Sequence, residues 1–160
     1  MNKTISSLAL ILMLVSGGVP AQETEQPVSF ELELLDGTTL NLVDLRGQWV
    51  VVNYWATWCA PCRKEIPDLS ELHDRSSNIT VVGIAYEDTD PAEFVAFLDE
   101  LKPSYPNGLV DVYNPPAAFG TPRALPTTYL LNPQGVPVKT YVGPVTGAQI
   151  EAFVAGPAKG

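Results

Sequence analysis

Residues 49–75 constrain this chain most: a strand-like run, then two cysteines, then a helix-like run. Trp49, Val50, Val51, Val52, Asn53, Tyr54 and Trp55 are almost all apolar, β-branched or aromatic. Such a run suits a central strand covered on both faces. Trp58-Cys59-Ala60-Pro61-Cys62 follows and holds the two cysteines of the 160-residue chain. Beyond it, residues 63–75 are predicted helical, with Ile66, Leu69 and Leu72 at helical spacing. Pro67 sits inside that pattern and is expected to bend the helix. Two thiols separated by two residues on a strand-to-helix turn can close a disulfide and open it again.

The pair is not needed as a staple. After removal of a leader, one domain remains that is long enough to bury a core without cross-links. At 46% hydrophobic and 17% charged residues, the composition is that of a globular protein. The net charge of −9 becomes one unit more negative when Lys3 goes with the leader. That balance excludes nucleic acid as a partner, because nothing would neutralise its phosphates. It also opposes adsorption on an anionic membrane.

The first 21 residues read as a signal peptide. Lys3 supplies the positive start, residues 8–15 are apolar, and Val19-Pro20-Ala21 offers a cleavage site after Ala21. The apolar run is shorter than the ~20 residues that span a bilayer. The domain would be membrane-anchored only if this leader stayed uncleaved, and no cysteine lies near it to carry a lipid. Export places the thiols in an extracytoplasmic compartment, periplasmic or secreted. The expected organisation is a leader (1–21), a flexible lead-in (22–27), one domain (28–156) and a tail (157–160).

Within the domain, residues 30–34 alternate apolar and polar, Asp36-Gly37 marks a turn, and residues 38–42 return as the second arm of a hairpin. Residues 44–47 read as a turn or a short helical turn. A buried strand is expected over 79–86. A helix follows from Asp90 as N-cap and Pro91 at its first position, with Phe94, Phe97, Leu98 and Leu101 on its apolar face. A weak strand is expected over 108–112 and one glycine-capped helical turn over 114–120. Strands over 127–131 and 136–142 form a second hairpin. A closing helix spans 146–155, with Ile150, Phe153 and Val154 inward. Strands alternating with helices imply a parallel portion, and the late hairpin an antiparallel edge. The fold class is therefore α/β, a mixed central sheet with helices on both faces.

Residues 53–67 (NYWATWCAPCRKEIP) together with 125–135 (LPTTYLLNPQG) resemble the TlpA/ResA-like branch of thioredoxin-fold proteins, which are exported thiol–disulfide oxidoreductases. The resemblance implies a thioredoxin fold with an extra N-terminal β-hairpin, matched by residues 30–42, and a central inserted segment, matched by 87–112. It implies a cis peptide bond before Pro126, with Leu125 and Pro126 lying against the cysteines and offering backbone to an incoming peptide. It also implies an acid at Glu65 working near the site, and Asn53 where cytoplasmic thioredoxin has a buried aspartate.

From the residues themselves, Cys59 is the expected nucleophile, because unpaired N–H groups and the helix dipole favour its thiolate. Cys62, one turn on, is the resolving thiol. Glu65 is placed to accept or relay its proton. Pro61 stiffens the turn, Trp58 walls the partner groove and Trp55 is core. His73 and the acidic stretch 87–90 are read as non-catalytic, the latter as a solvated loop with a cap. No cofactor and no metal are expected: zinc needs more ligands than the cysteines and His73 supply.

The expected partners are disulfides of exported proteins as substrate and a membrane-bound thiol as electron donor, and the protein is expected to be a monomer. The resemblance suggests cytochrome c maturation. Two other readings stand beside this one. A thiol peroxidase of the related fold would want an upstream proline that 53–58 lacks. A copper-delivery module would want wider cysteine spacing and a distal histidine.

Overall fold

The computed structural model describes residues 26–156. The leader, residues 22–25 of the lead-in and the tail lie outside the described residues.

β1 (Glu31–Glu33) and β2 (Thr39–Asn41) form a two-stranded antiparallel hairpin with Leu32 opposite Leu40. Its turn works as the Asp36-Gly37 pair predicts. Gly37 takes φ 79°, and the Thr38 N–H donates to Asp36 Oδ1 at 2.9 Å. A 3-10 turn (Leu42–Leu45) leads into β3 (Trp49–Trp55). Then come α1 (Ala60–Arg75), β4 (Ile79–Tyr86), α2 (Pro91–Leu101) and β5 (Asn107–Val110). β6 (Thr127–Leu131), β7 (Pro137–Val142) and α3 (Gly147–Ala155) complete the chain. The five-stranded sheet has the order β5-β4-β3-β6-β7. β3, β4 and β5 are parallel, and β6 and β7 add the antiparallel edge.

The period-two alternation of β3 divides the core. Val51 and Trp55 face one cluster, with Ile66, Leu69 and Leu72 of α1, Phe94 of α2 and Ile150 of α3. Val50, Val52 and Tyr54 face the other, with Leu32 and Leu42. Both faces are covered, but the helices expected on both faces lie on one. The two crossovers step the same way across the sheet, so right-handed connections put α1 and α2 on one side. The opposite face is closed by the hairpin, the 3-10 turn and Phe119. Each fully buried side chain of this size contributes roughly 1.5–3 kcal/mol.

Three local expectations shift, and one, the glycine-capped turn, holds. α1 starts at Ala60, not at 63, so the cysteine motif is itself the first helical turn; the helix then runs on through Pro67. β5 begins and ends earlier than 108–112. The 114–120 segment is one turn, closed by Gly120 N–H on Pro116 C=O at 2.8 Å with Gly120 at φ 67°. Phe153 is not inward: it stays exposed on α3 and meets the Trp49 ring edge-on at 6.3 Å. Trp49, at the start of β3, is partly buried and packs on the edge of the helix-side core.

Candidate active site

β3 ends in the core at Trp55, and the chain turns before entering α1. The Cys59 N–H donates to the Ala56 carbonyl at 3.1 Å, which closes that turn. Cys59 is then the N-cap of α1, with extended backbone (φ −83°, ψ 97°). A serine or aspartate oxygen commonly accepts the third helical N–H from this position. Here sulfur does so: the Cys62 N–H points at Cys59 Sγ, 3.3 Å away. Pro61, inside the first turn, has no N–H to leave unpaired.

Cys59 and Cys62 are joined as a disulfide with Cα atoms 5.3 Å apart. Their environments differ. Cys62 is fully buried, whereas Cys59 keeps a 4% residue of exposure. Trp58, immediately before, is 69% exposed and stands out from the turn.

Glu65 lies one turn beyond Cys62 on the same buried face of α1. Both of its oxygens are engaged. Asn53 Nδ2 donates to Oε1 at 2.8 Å, and the Val145 N–H donates to Oε2 at 3.0 Å. Asn53 Nδ2 also donates to Thr128 Oγ1 at 3.0 Å. Burial pushes the Glu65 carboxyl above its ordinary value, and nearby Asp68 adds to this; the two hydrogen bonds pull the other way without cancelling it. A groove of about 790 Å³ opens beside this turn, lined in part by Pro61, Lys64, Glu65, Pro144 and Val145.

The Leu125–Pro126 peptide bond is cis. β6 pairs with β3 through Thr127 opposite Tyr54. One step further along that register, Pro126 lies level with Trp55, at the end of β3 from which the cysteine turn departs. Leu125 packs on the cluster that contains both cysteines. The Pro126 carbonyl accepts from the Gly143 N–H at 2.9 Å, whereas among the described residues no backbone hydrogen bond reaches Leu125.

Residues 24–140 match the model of the AhpC/TSA family. The thiol–disulfide oxidoreductase ResA of Halalkalibacterium halodurans is 36% identical over 135 residues, covering 84% of this chain and 76% of that protein. The crystal structure of a DsbF homologue from Corynebacterium diphtheriae superposes with a TM-score of 0.71 at 28% identity, over 93% of this chain and 100% of that one. A secreted thiol–disulfide isomerase from Corynebacterium glutamicum gives 0.66 at 26% identity, over 89% and 93%.

The chain belongs to the AhpC/TSA family.

Within that family it sides with the ResA-like thiol–disulfide oxidoreductases, as the motif resemblance implied, and it is a thiol–disulfide oxidoreductase of the thioredoxin fold. This AhpC/TSA member gathers Cys59, Cys62 and Glu65 on one helix, with Pro61 at the groove beside them. Trp58 flanks the pair, and Leu125 and Pro126 come in from the segment just before β6. Trp55 is core, stacked with Phe94 and Phe97 at 5.7 and 6.0 Å. His73 Nδ1 accepts the Val81 N–H at 3.2 Å and so serves the end of β4. Two contributors had no signal in the sequence. Val145 reaches Glu65 from 80 residues away. Glu87, expected in a solvated loop, is buried.

Proposed function

We propose that residues 28–156 work as an exported, monomeric dithiol reductant of disulfides in other exported proteins, freed from the leader at Ala21. The relevant observation is the asymmetry of the pair. One sulfur caps a helix on the residue that keeps the pair's remaining exposure, while the other belongs to a fully buried residue one turn from a carboxylate. In the reduced protein, the Cys59 thiolate attacks a sulfur of the substrate disulfide. That S–S bond breaks, a mixed disulfide forms, and one substrate sulfur leaves as thiolate. Cys62 gives its proton to Glu65 and attacks Cys59 Sγ. The mixed disulfide breaks, the second substrate thiol leaves, and Cys59–Cys62 is oxidised by the two electrons the substrate has gained. Leu125 offers its open N–H and C=O to the substrate backbone, and Trp58 covers its side chains.

Glu65 supports the reducing direction. A buried carboxylate beside the pair penalises a second anion there, which disfavours thiolate and so favours the disulfide. A dithiol whose oxidised form is favoured is the stronger reductant. A membrane-bound thiol donor would restore it, and a maturing c-type cytochrome is a fitting substrate. Secretion, as in the C. glutamicum neighbour, accords with the leader's composition; among the described residues no helix is long and apolar enough to cross a membrane.

Two measurements test this. The pair should equilibrate at a potential closer to the ~−270 mV of thioredoxin than to the ~−120 mV of a strong oxidant, and the latter value would reverse the direction. Cys62→Ala should accumulate a partner as a mixed disulfide on Cys59. Equal trapping by Cys59→Ala would exchange the two roles.

A further inference from the structure

Glu87 immediately follows β4 and is only 7% exposed. Both carboxylate oxygens serve one residue. The Thr57 N–H donates to Oε1 at 3.0 Å, and Thr57 Oγ1 donates to Oε2 at 2.8 Å. Thr57 lies in the turn between β3 and α1, two residues before Cys59. No cation pairs with Glu87 among the described residues. A buried, unpaired carboxylate is a costly way to make two hydrogen bonds. What it offers over a hydroxyl is two acceptor oxygens that take both Thr57 donors at once.

Between the end of β3 and Cys59, the turn has few other ties. Its own backbone supplies the Cys59 N–H bond to Ala56. Trp58, between Thr57 and Cys59, is exposed and makes no hydrogen bond among the described residues. On its far side Cys59 is tied to α1, by the Arg63 N–H on its carbonyl at 3.1 Å and the Cys62 N–H on its Sγ at 3.3 Å; on its near side Thr57 is the point at which a side chain from another element fixes the turn.

We propose that Glu87 is a positioning residue for disulfide exchange: it clamps Thr57 so that Cys59 Sγ stays at the N-cap of α1 and Trp58 stays turned to the partner. This rests on Cys59 being the attacking sulfur. Glu87 touches neither sulfur nor substrate and acts through the turn.

The test uses the reduced full domain with a synthetic peptide containing an intramolecular disulfide. Its readouts are the reduction rate and the pH midpoint of Cys59 alkylation. Glu87→Ala should slow peptide reduction about tenfold or more, as misplacement of a reacting group does, and raise the alkylation midpoint. Glu87→Gln keeps an acceptor for the Thr57 N–H and should stay within about threefold of the parent rate. It also controls for the lost charge. Thr57→Val removes the hydroxyl bond alone and should fall between them.

A folded Glu87→Ala protein slowed less than about fivefold would overturn the proposal, as would a Glu87→Gln protein as slow as Glu87→Ala. A melting temperature that falls while both readouts stay at the parent values would show a purely structural role and equally overturn it. If Glu87→Ala does not fold, Thr57→Val decides: slowing of about threefold or more supports the clamp, and less overturns it. Cys59→Ala belongs in the same series. Peptide reduction surviving in that variant would refute the assignment of the nucleophile, whatever the Glu87 variants do.

Discussion

Substituting Glu65 separates its charge from its hydrogen bonds. Burial holds its folded pKa above the 4.5 of an ordinary glutamate. Ionising it therefore costs the folded state more than the unfolded one. The sign follows from linkage. Stability is full below the unfolded value, falls as pH rises through the folded value, and is flat above it.

Glu65→Gln removes that titration and keeps much of the bonding. Its Oε1 can still accept the Val145 N–H. Its Nε2 can donate to Asn53 Oδ1, a buried oxygen without a hydrogen-bond partner in the described protein, if the Asn53 amide turns over. Glu65→Ala also removes the titration but orphans the Val145 N–H, which costs about 1–3 kcal/mol. Urea unfolding of the oxidised protein from about pH 4 to about pH 8 measures this, because cysteines held in a disulfide do not titrate. The stability of Glu65→Gln relative to the parent should rise with pH across that range and then level off. Glu65→Ala should run about 1–3 kcal/mol below Glu65→Gln throughout. A flat or falling Gln-minus-parent difference would refute the reasoning, since it would mean that burial does not penalise this carboxylate.

Trp58→Ala should leave stability within about 0.5 kcal/mol, as expected for an exposed side chain. It should slow reduction of a peptide disulfide more than that of hydroxyethyl disulfide, and equal slowing of both would remove Trp58 from the partner surface. Phe94→Ala should cost about 3–5 kcal/mol in urea unfolding, because the ring is fully buried and stacked 5.7 Å from Trp55. A cost below about 1 kcal/mol would mean that α2 adds little to the core.

The legible parts of this chain share one property: their signal is local. β3, β4 and β6 are continuous apolar runs, and their bounds are as read. Asp90-Pro91 marks the start of α2 by itself, with Asp90 Oδ1 accepting the Ala92 N–H at 2.7 Å. The cysteine spacing names its chemistry without help. The N-terminus of α1 was read late because cysteine is not a customary cap, although its sulfur takes the position an oxygen would. Glu87 was misread because three acidic or polar neighbours disguise it as a surface loop. Its partner Thr57 is 30 residues away and leaves no pattern beside it. The same holds for the ring of contacts on Glu65, drawn from β3 and from the loop before α3. Which side α2 covers is likewise a matter of crossover hand and strand order, not of its own periodicity.

Asn53 shows how a residue type can be read correctly and its role missed. Taken alone, asparagine at a place where a carboxylate is expected is a loss: it exchanges no proton at working pH. In the fold it is a donor, 2.8 Å from a carboxylate brought to the same spot by α1. An aspartate there would set two buried carboxylates at hydrogen-bonding distance, and such pairs cannot both ionise. Asn53→Asp should therefore retain one shared proton at neutral pH and titrate as a coupled pair. Losing the amide's bond to an ionised group should cost about 1.5–3 kcal/mol at neutral pH. The loss should shrink in acid, where the shared proton restores a donor. Infrared absorption of a protonated carboxyl in the oxidised variant at neutral pH, alongside urea unfolding at both pH values, measures both effects. An Asn53→Asp protein with parental neutral stability and no protonated carboxyl would contradict this. With asparagine at 53, no second acid among the described residues is hydrogen-bonded to Glu65, so in the proposed exchange a single carboxylate one turn beyond Cys62 would take the proton that Cys62 gives up.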